Sequence, residues 1–235
     1  MINTHEETLT LAWCDNGNTD GKFAEGLLYT VIHAQHIGIK VHGAVRVSGN
    51  QIARQRQTLF DNWADNIKTD WLLWVDSDIV LTIESLGRLL EAADKDSAKI
   101  MSGLYFVSNE PEKPLMKPIP CAYNFINNME QIEHLKNLPN DQVVEADATG
   151  MGLILMHKSI IEPVRNASKD NFIFAEINGV GAKFVGEDIS FFKNVKRAGI
   201  QAYLHTGAIA DHMKRFTFDI NYHNFYWENK NTPQN

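Results

Sequence analysis

Cysteine is scarce in this chain: of 235 residues only Cys14 and Cys121 are cysteines, too few for the disulfide framework of a small secreted scaffold. Both are expected to be free thiols in a reducing compartment. No apolar run approaches the roughly 20 residues needed to span a bilayer, and "MINTHEETLTLAW" lacks the basic segment and apolar stretch of a secretory leader. A soluble, cytoplasmic protein without membrane insertion is the expectation. Positive charge is short as well, with 22 Lys and Arg against 29 Asp and Glu and a net charge of -7. Nonspecific binding to nucleic acid needs a basic surface, so that partner class is excluded. There is neither an internal repeat nor a low-complexity tract. What is present is 44% hydrophobic residues, enough at this length for one domain with a sizeable core.

Strand-like and helix-like segments alternate through the first half: "TLTLAW", "GKFAEGLLYTVIHAQHI", "KVHGAVRV", "NQIARQRQTLFDNWADNI", "WLLWV", "SLGRLLEAADK" and "AKIMSGLYF". That order predicts βαβ units and a mostly parallel sheet, in which ligands sit at the carboxyl ends of the strands. From 109 to 141 Pro, Asn and charge interrupt the pattern, which reads as an irregular excursion or lid. The α/β pattern resumes with "VVEADATGMGLILMHKSIIEPV" and with "GEDISFFKNVKRAG", a helix with acids in its first turn and Gly199 past its end.

Five motifs carry candidate chemistry. In "WLLWVDSDI" a buried strand ends in Asp76 and Asp78, which are ionised near neutral pH; at i and i+2 of a strand both would face one way and converge on a cation. The plain alternative is a turn whose aspartate caps the next helix. By helical spacing in the segment after "KVHGAVRV", Arg56 falls inside the apolar stripe formed by Ile52, Leu59, Phe60, Trp63 and Ile67, while Arg54 lies opposite. An inward arginine needs an aspartate or a phosphate as partner, unless its head reaches water along a packed stem. "ATGMG", with Thr149 and Gly150, could let the backbone approach a ligand or could simply turn. "GEDIS" sets Glu187 and Asp188 at a helix start, where the dipole favours anions; neighbours there diverge by about 100°, so one of the two is expected to enter a cleft. "AIADHMKR" leaves His212 and Lys214 beyond the last regular helix.

This ordered set resembles the GT-A fold nucleotide-sugar glycosyltransferases, in particular the short kind found in bacteria and bacteriophages. The matching pieces are "IARQRQTLF", "WLLWVDSDI", "IMSGLYF" followed by "EPEKP", "ATGMGLILMHKSI", "GEDISFFKNVKRAGI" and "ADH". The resemblance implies an α/β, Rossmann-like three-layer sandwich in one catalytic domain: 1–108 as nucleotide-binding half, 109–141 as lid, and 142–235 as acceptor-binding half and tail. It implies Mn²⁺ or Mg²⁺ held by Asp78, His212 and, directly or through water, Asp76, with Asp76 also near the donor ribose. Arg56 would hold the first aspartate or the nucleotide, Lys214 the diphosphate, Asp15 and Asn16 the base, and Thr149 and Gly150 the donor sugar. Asp188 would be the catalytic base and Glu187 would orient the acceptor. A base opposite the leaving group gives inversion, although retention stays open. The implied donor is UDP-glucose or another UDP-hexose, and the acceptor an unidentified sugar, glycan or protein hydroxyl; were the source viral, the compartment would be the host cytoplasm. Gln57 departs from the family pattern, where an Asn is common.

Two other readings compete. "DSDIV" also fits the signature of haloacid-dehalogenase-type phosphatases, with Asp76 as nucleophile, but it sits far from the chain start and leaves His212 and "ATGMG" without roles. A catalytically silent nucleotide- or carbohydrate-binding protein would retain the same acidic set.

Overall fold

The computed structural model describes residues 6–108, 118–169, 172–175, 186–214 and 219–230. Strand β1 (Thr8–Asp15) leads to helix α1 (Gly21–His36), whose Asp20 cap accepts a hydrogen bond from the Lys22 amide. Strand β2 (Lys40–Ser48), helix α2 (Ile52–Asn62) and a wide turn over Trp63–Ile67 follow. Then come β3 (Trp71–Val75), the short β4 (Ile79–Val80), α3 (Ile83–Ala92), β5 (Ile100–Leu104) and β6 (Phe106–Val107). Strands β7 (Ile119–Pro120), β8 (Ala122–Ile126), β9 (Gln131–His134), β10 (Val143–Ala146), β11 (Ala148–Thr149) and β12 (Leu153–His157) precede α4 (Ile161–Ala167). The chain continues as α5 (Glu187–Arg197), β13 (Ala202–Ile209), β14 (Asp211–His212) and α6 (Ile220–Lys230).

The central sheet has seven strands in the order β10-β13-β5-β12-β3-β1-β2. Pairs β1–β2, β1–β3 and β5–β13 are parallel, whereas β12 runs antiparallel between β3 and β5, and β10 antiparallel to β13. The sheet is therefore mostly parallel, with the carboxyl ends of β1, β3 and β5 on one edge.

Both faces of the sheet are covered, which explains the uninterrupted apolar run of β3. Trp71, Leu73 and Val75 pack into one core with Phe23 of α1 and Leu86 and Leu89 of α3. Leu72 and Trp74, pointing the other way, pack with Leu59 and Phe60 of α2 and Phe191 and Phe192 of α5. A strand buried on both faces cannot alternate, because every side chain meets a helix layer. The result is the three-layer α/β sandwich expected from the sequence.

The stretch expected to be irregular is ordered where it is described: β8 and β9 form an antiparallel hairpin that joins β11 in a three-stranded sheet. Asn127 and Asn128, at φ of 50° and 54°, supply its turn, since Asn tolerates the left-handed region. The "EPEKP" match falls within 109–117, outside the described residues.

Asp70 clamps the base of the sheet. Its Oδ2 accepts from the amide and hydroxyl of Thr8 at 2.8 and 2.7 Å, and its Oδ1 pairs with Lys158 Nζ at 2.7 Å. Burial pushes this carboxyl up, but Lys158 and Thr8 outweigh it and bring it from the ordinary 3.8 down to about 2. A depressed folded-state value stabilises the fold above the unfolded value, and that contribution is lost as pH falls through the folded one. Asp70→Asn should cost about 1–2 kcal/mol at neutral pH and flatten the acid limb between pH 4 and 2, measured by urea titration across pH.

Candidate active site

Strand β3 ends at Val75 because the chain turns there: the Ile79 amide donates to the Asp76 carbonyl at 2.9 Å. The i and i+2 convergence expected for a continuing strand is thereby replaced, and the two aspartates are held by different partners. Asp76 Oδ2 accepts from Arg56 Nη2 at 2.9 Å, and its Oδ1 accepts from Trp74 Nε1 at 3.1 Å. Asp78 Oδ2 meets His212 Nε2 at 3.2 Å and Lys214 Nζ at 2.6 Å.

A small β-ladder brings His212 to Asp78 across 134 residues of sequence. Strand β14 pairs antiparallel with β4, with His212 opposite Ile79, and the Met213 amide donates to the Asp78 carbonyl at 2.7 Å. The imidazole is oriented from behind by the Phe106 carbonyl, 2.9 Å from Nδ1. A carbonyl only accepts, so Nδ1–H donates to it; the Asp78 carboxylate also only accepts, so in the absence of a cation Nε2–H donates to Asp78.

Arg56 is 4% exposed, in agreement with its inward helical angle, and Arg54 is exposed. Its Nη1 lies 3.4 Å from Glu187 Oε1, and Nε and Nη1 have no hydrogen-bond partner. Buried donors left unmade cost about 1–3 kcal/mol, and Arg56 carries that cost in the wall of the site. The guanidinium also sits 5.9 Å from the Trp74 ring centroid. Of the acidic pair, Glu187 turns to Arg56, whereas Asp188 borders an inner cavity.

Two cavities share Arg56, Asp76, Asp78 and Lys214 as a common wall. The outer cleft, about 900 Å³, lies against Asp15 and Asn16 at the end of β1, Gly49 just past β2 and Gln55 of α2. The inner one, about 290 Å³, is bounded by Tyr105, Cys121, Tyr123, Asp188 and His212.

Burial raises the Asp76 carboxyl against the pull of Arg56, with Asp78 adding to the rise. Asp188 is also raised, by burial first and then by Glu187 and Asp76, with Arg56 opposing. Asp78 moves the other way: burial pushes it up, but the hydrogen bonds from His212 and Lys214 hold it at about 2.

Three residues named from the sequence are placed differently from the expectation. Asp15 borders the outer cleft, but its carboxylate is spent on Arg46 Nη2 (2.9 Å), Ser48 Oγ (2.6 Å), Trp13 Nε1 (3.0 Å) and the Gly17 amide (2.8 Å). These donors, led by Arg46, hold it well below the usual carboxylate range, and its work is to shape the loop carrying Asn16. Thr149 is 0% exposed; its hydroxyl shares a hydrogen bond of 2.8 Å with Ser102 Oγ, so it is turned into the sheet. Gly150 is packed under Tyr105 and Cys121. Within "ATGMG" it is Met151 and Gly152 that border the inner cavity.

Sequence reasoning gave no role to Arg46, Tyr105, Cys121 or Tyr123. The available signal was position: Tyr105 follows β5 directly, at the strand end where ligands sit. Gln57, the departure from the family pattern, has structural work: its Oε1 accepts from the Ile173 amide at 2.8 Å, and its Nε2 donates to Asp61 at 2.9 Å.

Asp78 and His212 suit a divalent cation: a carboxylate oxygen and an imidazole nitrogen face each other at 3.2 Å, and a cation would take the place of the Nε2 proton between them. Among the described residues no group of three or more His, Cys, Asp or Glu could hold a metal. A cation at this pair would need its remaining positions filled by other ligands.

No family model matches the chain. Mannan polymerase complex subunit MNN9 of Candida albicans is 27% identical over 116 residues, a match that takes in 48% of this chain but only 30% of that relative. Among solved structures, A197 from STIV superposes with a TM-score of 0.56 at 17% identity, covering 88% of this chain and 86% of that one. GalNAc-T7, solved with UDP, GalNAc and Mn²⁺, superposes with a TM-score of 0.52 at 12% identity, covering 89% of this chain and 44% of that one. The chain thus has the GT-A fold of glycosyltransferases. No helix among the described residues is long and apolar enough to cross a membrane.

Proposed function

We propose that this protein is a metal-dependent glycosyltransferase that moves a hexose from a UDP-sugar, UDP-glucose or a close relative, to an acceptor hydroxyl with inversion. The observation that carries the reading is the meeting of Asp78 with His212 on the wall between a nucleotide-sized cleft and a smaller inner pocket. GalNAc-T7, with the same fold, was solved with UDP and Mn²⁺, which supports this donor class and cation.

In this reading the outer cleft takes the nucleotide, with Asn16 on the base side, and the inner pocket takes the sugar. Asp78 and His212 would hold Mn²⁺ or Mg²⁺, which supplies charge stabilisation to a departing diphosphate. Asp76 stays paired with Arg56 and reaches the metal or ribose through water. Arg56 brings donors with no hydrogen-bond partner of their own, and Lys214, which now meets Asp78, would offer its ammonium to a phosphate. Asp188 takes the proton from the acceptor hydroxyl in the inner pocket, and its raised value strengthens it as a base. Glu187, expected to orient the acceptor, faces Arg56 instead and keeps the guanidinium aimed at the common wall. The phosphatase reading fares worse, because Asp76 is raised and held by Arg56 and Trp74, a poor state for a nucleophile.

The test is release of nucleoside diphosphate from a panel of nucleotide sugars with Mn²⁺ or Mg²⁺, with chelator and Asp78→Asn as controls. Chelation and D78N should each remove turnover. Inorganic phosphate released from a monoester, or tight UDP binding with no turnover on any donor and acceptor, would overturn the reading.

A further inference from the structure

The glycines of "ATGMG" make room for an aromatic ring. A Cβ at Gly150 would collide with Tyr105 Oη and lie 2.5 Å from Cys121 Sγ, and one at Gly152 would lie 2.7 Å from Tyr105 Cζ. Tyr105 Oη accepts from the Gly152 amide at 3.0 Å, and the Gly152 carbonyl accepts from the Asp76 amide at 2.9 Å. Across the pocket the Tyr105 ring meets the His212 ring edge to face, with centroids 5.3 Å apart and planes at 82°. The next residue, Phe106, provides the carbonyl that fixes His212 Nδ1.

We propose that Tyr105 is a positioning residue for His212, clamped between Gly150 and Gly152, that keeps the imidazole turned with Nε2 toward Asp78 and ties it to the backbone of Asp76. The proposal rests on the reading of Asp78 and His212 as metal ligands. Rotation of the imidazole about its side chain would break the Phe106 hydrogen bond and carry Nε2 away from Asp78, and it would also break the edge-to-face contact with the Tyr105 ring. Groups that orient a liganding histidine typically change metal affinity 10–100-fold when removed. The same tyrosine sets the separation of the two halves of the site, since its hydroxyl reaches Asp76 through one glycine.

The experiment is Mn²⁺ titration of the whole chain by EPR, without nucleotide, for wild type, Tyr105→Phe, Tyr105→Leu, His212→Ala and Asp78→Asn. Long-range ¹H–¹⁵N spectra of the imidazole nitrogens are recorded in parallel on metal-free protein. Y105L should weaken Mn²⁺ by about tenfold and loosen the Nδ1–H hydrogen bond to Phe106, read as a shift of the Nδ1 resonance. Y105F keeps the ring and should retain that hydrogen bond with a smaller loss of affinity. At saturating Mn²⁺ turnover by Y105L should recover, which a collapsed fold would not permit. Wild-type affinity and an unchanged Nδ1 resonance in Y105L would overturn the positioning role while leaving the ligands in place. Mn²⁺ binding indifferent to H212A and D78N would instead overturn the ligand reading, and the metal-free Nδ1 resonance would still decide the role of Tyr105.

Discussion

Asp188→Asn should lower kcat by about 10²–10⁴-fold, the range for loss of a positioned general base, while nucleoside diphosphate still binds with Mn²⁺. The amide preserves shape and the hydrogen bond from the Ile189 amide to Oδ1, 2.8 Å long, but it takes no proton. Calorimetric titration with UDP and Mn²⁺ separates binding from turnover. The pH dependence follows from the raised carboxyl: Asp188 must be ionised to act, so the acid limb of the rate should lie above the ordinary carboxylate range. An Asp188→Asn variant with near-wild-type kcat would move the base elsewhere.

Arg56→Met should be the most destabilising single change at the site. Its guanidinium is the counter-charge for Asp76, Glu187 and Asp188, and removing one member of a buried pair costs about 3–5 kcal/mol because the other charge is left uncompensated. Met fills most of the volume, so the loss reports charge rather than a cavity. Adding Asp76→Asn should recover much of the loss, and urea denaturation of the two single variants and the double variant measures the coupling. The sign with pH is specific. Asp76 and Asp188 have raised folded-state values, so their contribution to stability is present below the ordinary carboxylate range and is lost as pH rises through the folded values. Arg56→Met should therefore be least harmful in acid, where Asp76 is protonated, and most harmful at neutral pH. Equal loss at both ends would mean that packing dominates.

Patterns of hydrophobicity were enough to read the layers. "WLLWV" has no polar member, so it had to lie in the middle of a sheet covered on both faces. The spacing of "IARQRQTLF" put Arg56 on the packed side, where the fold finds it beside Asp76. The side-by-side acids of "GEDIS" had to diverge, and they do, with Asp188 at the inner cavity and Glu187 at Arg56.

Local patterns could not report which carboxylates were already satisfied. Asp15 was expected to grip the base, yet Arg46, 31 residues on, fills its acceptors, because parallel pairing of β1 with β2 sets Asp15 against Ser48 and Trp13 against Arg46. "ATGMG" carried a glycine signal whose cause lay elsewhere in the chain, in the bulk of Tyr105. Even the spacing of the two aspartates misled, since a turn starting at Asp76 decides where each side chain points.

Composition and periodicity by themselves determined the α/β class, the strand that ends in two acids and the inward arginine, because burial of apolar side chains at fixed repeats depends only on neighbours in sequence. Partners of charge were decided by tertiary structure alone. Whether a carboxylate is spent on an arginine or faces an imidazole 134 residues away depends on strand order and register, which the chain acquires only when its distant segments pair.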